Sequence, residues 1–210
     1  MATTIDDIQL HPQMYVRKLN GEALHNDLLK RVLDKIAALN CYPMARSNGA
    51  VEVKLEDKTV EIRYHASIMH CNRMELDFTR VMSGGMRPSN RPPYVDLLGY
   101  LLEHLVTVNA LSSRFVAESI AWGKTRKVVF EKGRLVADTG EMDAPADATG
   151  FMRIAFRPDE AFWGEYAWRE DVVEAMLREY TYLYTELAFT LNGDRRYEAH
   201  RDYRTCWPTA

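Results

Sequence analysis

The chain has 210 residues, of which 47% are hydrophobic and 27% are charged, and its formal net charge is -3 at pH 7. These values are typical of a water-soluble globular protein, and no apolar run approaches the roughly 20 residues that a membrane-spanning helix needs. A slightly acidic chain has no general attraction for phosphates, so we expect neither direct nucleic-acid binding nor a membrane partner.

The N-terminus and the cysteines indicate a reducing compartment. Met1–Asp7 contains neither the basic nor the apolar stretch of a secretion signal, so we expect a cytoplasmic protein. Cys41, Cys71 and Cys206 form an odd set without metal-ligand spacing, which favours free thiols. The length suits one domain, and we expect residues 1–210 to form it.

Hydrophobic periodicity predicts the elements of the first half. Apolar residues recur at helical spacing between Leu28 and Leu39, which predicts a first long helix. Alternating runs at 51–56 and 60–65, separated by a polar turn, predict a β-hairpin. Glycine and proline at 83–93 predict a lid-like loop, and the nearly continuous apolar stretch Tyr94–Leu111 predicts a buried helix.

The second half alternates with period two. A meander of three strands is predicted from Phe115 to Ala137, followed by a further strand at Met152–Phe156. A last helix at about Glu170–Tyr184 precedes a final hairpin that turns at Asn192–Asp194. This pattern predicts an α+β fold, a two-layer sandwich with a mixed, mostly antiparallel sheet and helices on one face.

Several stretches resemble the ATPase domains in the B subunits of DNA gyrase and topoisomerase IV, which are of the GHKL (Bergerat) type. Leu10–Val16 is similar to the family's arginine-proline-glycine-methionine-tyrosine motif, and Ala23–His25 to the start of its first long helix. Val108–Ser112 is similar to the end of the helix that follows the ATP lid. Thr149–Phe162 and Leu177–Leu183 are similar to the family's last strand, turn and helix.

The resemblance has consequences for organisation. It implies that residues 1–22 are an arm like the gyrase segment that wraps a partner protomer, which would allow a homodimer, although in gyrase this exchange depends on ATP. In the family, a transducer domain follows the ATPase domain and supplies a lysine that touches the terminal phosphate. We expect no transducer domain in this sequence.

The residues that hydrolyse ATP in the family are replaced. The glutamate that activates water aligns with Lys30, and the asparagine that ligates magnesium aligns with Asp34. A lysine is protonated at neutral pH and cannot accept a proton from water. Asp34 can still bind a divalent ion, or it can form an ion pair with Lys30, one helical turn away. We therefore expect no ATP turnover and no cofactor.

Other nucleotide-contacting positions are also altered. The aspartate and glycines that recognise adenine in the family align with Tyr64–Met69, and a threonine near adenine aligns with Phe151. The glycine-rich turn that holds the phosphates aligns with Gly99–His104, where Glu103 would repel a triphosphate. Added β-carbons prevent close approach of a ligand to the backbone. Together with Lys30, these changes predict a pseudo-ATPase with a degenerate nucleotide pocket.

The replaced positions predict a different pocket with aromatic walls and ionisable groups. Its candidate ligand-binding residues are Lys30, Asp34, Tyr64, His65, His70, Arg73, Leu102 and Phe151. The domain is then a module for an unknown small molecule or protein partner. Alternatively, the cavity serves as an enzyme site in which Glu103, His104 and His65 are the candidate acid–base residues, or the protein keeps weak ATP binding in a topoisomerase-related role. No metal site is predicted, because His65, His70 and Cys71 lack an established zinc spacing.

Overall fold

The structure is a computed structural model that describes residues 3–40, 49–66, 69, 71–81 and 105–198, except for the side chains of residues 73, 76, 77, 80 and 81. The helices are α1 (Ile5–Leu10), α2 (Lys30–Asn40), α3 (Met74–Thr79), α4 (105–110), α5 (Glu160–Trp163) and α6 (Glu170–Leu183). A π-helical turn, His25–Leu29, leads directly into α2. No helix within these described ranges combines the length and the apolar character that crossing a bilayer requires.

Most of the strands form one large sheet. The strands are β1 (Thr3–Thr4), β2 (Ala50–Glu56), β3 (Thr59–Tyr64), β4 (Arg80–Val81), β5 (Ser112–Ala121), β6 (Lys124–Glu131), β7 (Arg134–Asp138), β8 (Met142–Asp143), β9 (Phe151–Pro158), β10 (Ala188–Leu191) and β11 (Arg195–Tyr197). The sheet order is β11-β10-β2-β3-β9-β5-β6-β7, with β8 beside β6, and only β10 and β2 pair in parallel among these described strands. The mixed, mostly antiparallel sheet and the α+β fold predicted from the sequence are confirmed.

The core lies between one face of this sheet and the helices. Tyr64 of β3 is paired with Val51 of β2 and Met152 of β9, and all three side chains are buried in the same cluster as Leu33 of α2 and Leu177 of α6. Burying an aliphatic or aromatic side chain of this size contributes about 1.5–3 kcal/mol. Because side chains alternate along a strand, the residues between these core positions lie on the opposite face of the sheet, which we call the open face although Phe151 on it is only 7% exposed.

Some elements differ from the sequence prediction. The helices α1, α3 and α5 have only 6, 6 and 4 residues, too few for a hydrophobic period to show. The parallel contact between β10 and β2 joins segments far apart in sequence, which local patterns do not reveal. Of the predicted helix at Tyr94–Leu111, residues 105–110 are helical, and the earlier part lies outside the described residues, as does the loop at 83–93.

The N-terminal segment packs against its own chain. Helix α1 begins after Thr4, whose side chain forms a capping box with Asp7. Ile8 is fully buried, and the side-chain amide of Gln9 donates to the carbonyl oxygens of Ala110 and Lys132 at 2.9 and 3.0 Å. Helix α1 of the segment expected to wrap a partner therefore packs on its own domain, and the homodimer stays a prediction.

The contact between α1 and the turn joining β6 to β7 makes a substitution at Gly133 informative. Gly133 has φ +76, and an added Cβ would overlap with Cγ2 of Ile5. We expect Gly133→Ala to lower the free energy of unfolding by about 2–4 kcal/mol, because a strained backbone is combined with overpacking. Urea denaturation measures the change.

Gly123→Ala is the matched control. Gly123 has a similar φ of +74, but nothing lies within 4 Å of the position of an added Cβ. This variant should therefore lose only the conformational term of about 1 kcal/mol. Equal losses in the two variants would contradict the packing of α1 on this turn.

Candidate functional site

Lys30 and Asp34 form an ion pair at the start of α2. The ammonium nitrogen of Lys30 lies 2.8 Å from Oδ1 of Asp34, and 43% and 32% of the two side chains are exposed. A pair this exposed adds at most about 1 kcal/mol to stability. The structure contains the ion pair between Asp34 and Lys30, and a role of Asp34 as a divalent-ion ligand stays a prediction.

Tyr180 of α6 completes this cluster. Its hydroxyl oxygen accepts a hydrogen bond from the Lys30 ammonium at 3.1 Å and its hydroxyl group donates to Asp34 Oδ1. The ammonium also lies 5.2 Å from the centroid of the Tyr180 ring, within the range of a cation–π contact. Burial, and next the hydrogen bond to Asp34, raise the pKa of Tyr180, so the phenol stays neutral. The cluster therefore joins α2 to α6. It occupies the side chains of both Lys30 and Asp34, the residues that align with the family's hydrolytic positions.

A shallow groove of about 230 Å³ runs beside this cluster. It lies between the π-helical turn, α2 and α6, and is lined by Asn26, Lys30, Val172, Ala175, Met176 and Glu179. Small-molecule pockets usually enclose about 300–1,000 Å³. The groove is therefore open and smaller than a typical enclosed ligand site.

Tyr64 fills the position that the resemblance assigns to adenine recognition. It lies at the end of β3 on the helix side of the sheet, is 0% exposed, and donates its hydroxyl hydrogen to Oδ1 of Asn40 at 2.8 Å. This contact packs the phenol ring between the sheet and the end of α2. A core side chain, instead of a short carboxylate, stands at this position.

His65 and Phe151 lie on the open face, away from Lys30 and Asp34. The register that pairs Tyr64 with Met152 places their neighbours His65 and Phe151 across from one another on the other side of the sheet. The imidazole Nε2 of His65 lies 2.7 Å from a carboxylate oxygen of Glu52. The described members of the predicted pocket therefore occupy both faces of the sheet and do not form one cavity.

His70, Leu102, Glu103 and His104 lie outside the described residues, and so does the side chain of Arg73. Acid–base roles for Glu103, His104 and His65 stay predictions. In the part of the chain that is described, no three His, Cys, Asp or Glu side chains are grouped to hold a metal ion. Cys71 is a buried free thiol.

The sequence did not identify His25 as a structural centre. Its Nε2 accepts a hydrogen bond from the backbone N–H of Arg169 at 2.8 Å, and its ring packs edge-on against Trp168 with centroids 5.1 Å apart. Burial, followed by the positive charge of Arg169, lowers the pKa of His25. The neutral imidazole thus joins the start of the first long helix to the segment before α6. In the sequence, this histidine served only to align the helix.

Comparison with known proteins gives relatives of one kind, although no family model matches the chain. The chain is 24% identical over 200 residues to the B subunit of the type 2 topoisomerase of Aquifex aeolicus and 26% identical over 191 residues to the B subunit of the DNA gyrase of Thermus thermophilus. These alignments cover 91% and 85% of this chain but 24% and 29% of the relatives. The chain therefore spans less than a third of the length of these curated relatives.

The structure is similar to a topoisomerase IV ATP-binding domain of Francisella tularensis solved with a small-molecule inhibitor. The TM-score is 0.70 at 20% sequence identity, and the superposition covers 91% of this chain and 90% of that domain. The chain thus resembles the B subunits of type II topoisomerases in sequence and has the fold of their ATP-binding domain. The resemblance to GHKL-type ATPase domains is confirmed at this level.

The buried neutral His25 should make stability depend on pH. Because its pKa in the folded protein is below the ordinary 6.5, the contribution of His25 to stability is fully present above pH 6.5 and is lost as the pH falls toward the lowered value. We expect His25→Gln to flatten the fall in the free energy of unfolding below pH 6.5, by up to about 1.4 kcal/mol per pH unit. Urea denaturation at a series of pH values measures the slope.

His11→Gln serves as the control because His11 is exposed and lies outside the aromatic contact with Trp168. It removes one imidazole while leaving the contact of His25 with Arg169 in place. If His25→Gln and His11→Gln show the same slope as the unsubstituted chain, the proposed contribution of His25 is wrong.

Proposed function

We propose that this chain is a gyrase-B-like pseudo-ATPase domain that does not hydrolyse ATP and acts as a binding module for a small molecule or a protein. The observation that carries the proposal is the environment of Lys30, which aligns with the hydrolytic glutamate of the family. Its ammonium is held by the carboxylate of Asp34 and the hydroxyl of Tyr180. A protonated amine with these partners has no lone pair to accept a proton from an attacking water.

The charges around Lys30 also do not fit a magnesium ion. The resemblance assigns a magnesium ligand to the position of Asp34, but this carboxylate is already neutralised by an ammonium 2.8 Å away. A divalent cation at Asp34 would lie close to the Lys30 charge, and charges of equal sign at short distance repel each other. The described residues therefore support a domain without a metal-bound triphosphate.

The environment of Tyr64 adds a steric argument. A purine bound as in the family requires an acidic acceptor and open space at this position. Here a fully buried phenol uses its hydroxyl group to contact Asn40. Moving the ring to admit a base would expose a core side chain and break that hydrogen bond. This supports loss of adenine recognition together with loss of hydrolysis.

Phosphate release from the purified protein with ATP and magnesium tests the proposal. We expect no release above a blank without protein, because a lysine stands where the general base is expected and the carboxylate of Asp34 is paired with that lysine. Turnover by the unsubstituted chain at the rates of a gyrase ATPase domain would contradict the proposal. The double variant Lys30→Glu, Asp34→Asn restores the residue types that the resemblance assigns to hydrolysis. We expect it also to be inactive, since Tyr64 is unchanged.

Nucleotide binding is measured separately by thermal denaturation with a non-hydrolysable ATP analogue. A ligand at a hundred times its dissociation constant stabilises the folded state by about 2.7 kcal/mol, which raises the melting temperature. We expect no rise for this protein. A saturable rise would show that the domain retains nucleotide binding and would restrict the proposal to the loss of hydrolysis.

A further inference from the structure

The open face of the sheet carries a row of charged side chains at its centre. Arg63 of β3 lies between Glu52 of β2 and Arg153 of β9, its direct neighbours across the strands. Phe151 of β9 lies diagonally opposite Arg63 on the same face. This face is opposite the helices, so it is separate from the Lys30 cluster.

The carboxylates around Arg63 are engaged by other residues. Arg153 donates to Glu61 at 2.5 Å and to Glu118 at 3.4 Å. Glu52, the cross-strand neighbour of Arg63, contacts the imidazole of His65 at 2.7 Å. Glu61 also interacts electrostatically with Arg63, but among the described residues these carboxylates hydrogen-bond to Arg153 or His65 and none of them hydrogen-bonds to Arg63.

Arg63 is unusual among the arginines whose side chains are described. Four of them are half-buried, and Arg31, Arg126 and Arg153 each donate to an acceptor. The guanidinium of Arg63 instead lies 4.3 Å from the centroid of the Phe151 ring, and its Nε is buried without a hydrogen-bond partner in the described part of the chain. A buried donor without an acceptor destabilises the folded state. The guanidinium of Arg63 therefore carries an N–H group for which the described residues supply no acceptor.

We propose that Arg63 and Phe151 form a binding site for the carboxylate or phosphate group of a small anion. A planar guanidinium presents its N–H groups as a fork that matches two oxygens of such a group. The Phe151 ring fixes the plane of the fork and excludes water from one side of it, which strengthens the hydrogen bonds at its edge. This site is separate from the Lys30 cluster on the other face of the sheet, so it does not depend on whether a nucleotide binds there.

The first test measures whether oxyanions bind at the guanidinium of Arg63. Arginine in the purified full chain is labelled with nitrogen-15, and the Nε–H signal of Arg63 is followed by NMR during separate titrations with sodium acetate and sodium phosphate. Sodium chloride at equal ionic strength is the reference. We expect a saturable shift with one or both oxyanions and none with chloride. The arm that saturates at lower concentration identifies the preferred group.

Variants show whether the shift reports binding at this site. Anion binding to each is followed by the backbone amide signals of the chain. Arg63→Lys keeps the charge but loses the fork, so we expect its affinity to fall at least tenfold. Phe151→Leu keeps Arg63 and an apolar side chain but removes the ring, and should also weaken binding. Arg157→Lys, at an exposed arginine of the neighbouring β9 segment, should bind as the unsubstituted chain does.

Circular dichroism establishes that each variant is folded before the comparison is made. An Arg63 signal that responds to chloride as it does to acetate and phosphate would overturn the proposal. So would undiminished binding in a folded Arg63→Lys variant. The proposed pseudo-ATPase function rests on other residues and is tested by phosphate release. A negative result for anion binding at Arg63 would therefore leave it unaffected.

Discussion

The register between β3 and β9 is the constraint on which the two faces of this molecule depend. Pairing Tyr64 with Met152 buries both side chains under the helices and turns Arg63, His65 and Phe151 to the open face. A shift of one residue would exchange the two sets, placing a guanidinium and an imidazole in the core at a cost of several kcal/mol each. The hydrophobic pattern of β3 therefore also decides which polar groups can contact a ligand.

On the helix side, the residues that align with the family's nucleotide-contacting positions contact other side chains of the domain. Lys30, Asp34 and Tyr180 satisfy one another, and Tyr64 contacts Asn40. The proposed loss of hydrolysis follows from this mutual satisfaction and not from an absent residue alone. On the open face Arg63 is left without an acceptor, so the two faces differ in the capacity of their described residues to receive an anion.

Local sequence patterns predicted the long helices, the hairpins and the α+β class, because burial on one face imposes a period on each element. They placed Lys30 and Asp34 on one helix face correctly. They did not predict that Tyr180 joins that pair, since Lys30 and Tyr180 are 150 positions apart in sequence. They also grouped Tyr64 and His65 in one pocket, although the two side chains lie on opposite faces of the sheet. Alternation along β3 could have separated them, because Val60, Ile62 and Tyr64 share one parity and His65 has the other.

The docking of α1 has a consequence for synthesis of the chain. Gln9 bonds to carbonyl groups 101 and 123 positions later, and Ile5 contacts the turn that follows the second of these. Translation proceeds from the N-terminus, so this helix cannot reach its final position until the polypeptide has grown beyond Gly133. Until then its apolar side chains remain exposed and can bind chaperones or neighbouring nascent chains. Helix α1 is thus synthesised well before the residues that bury it.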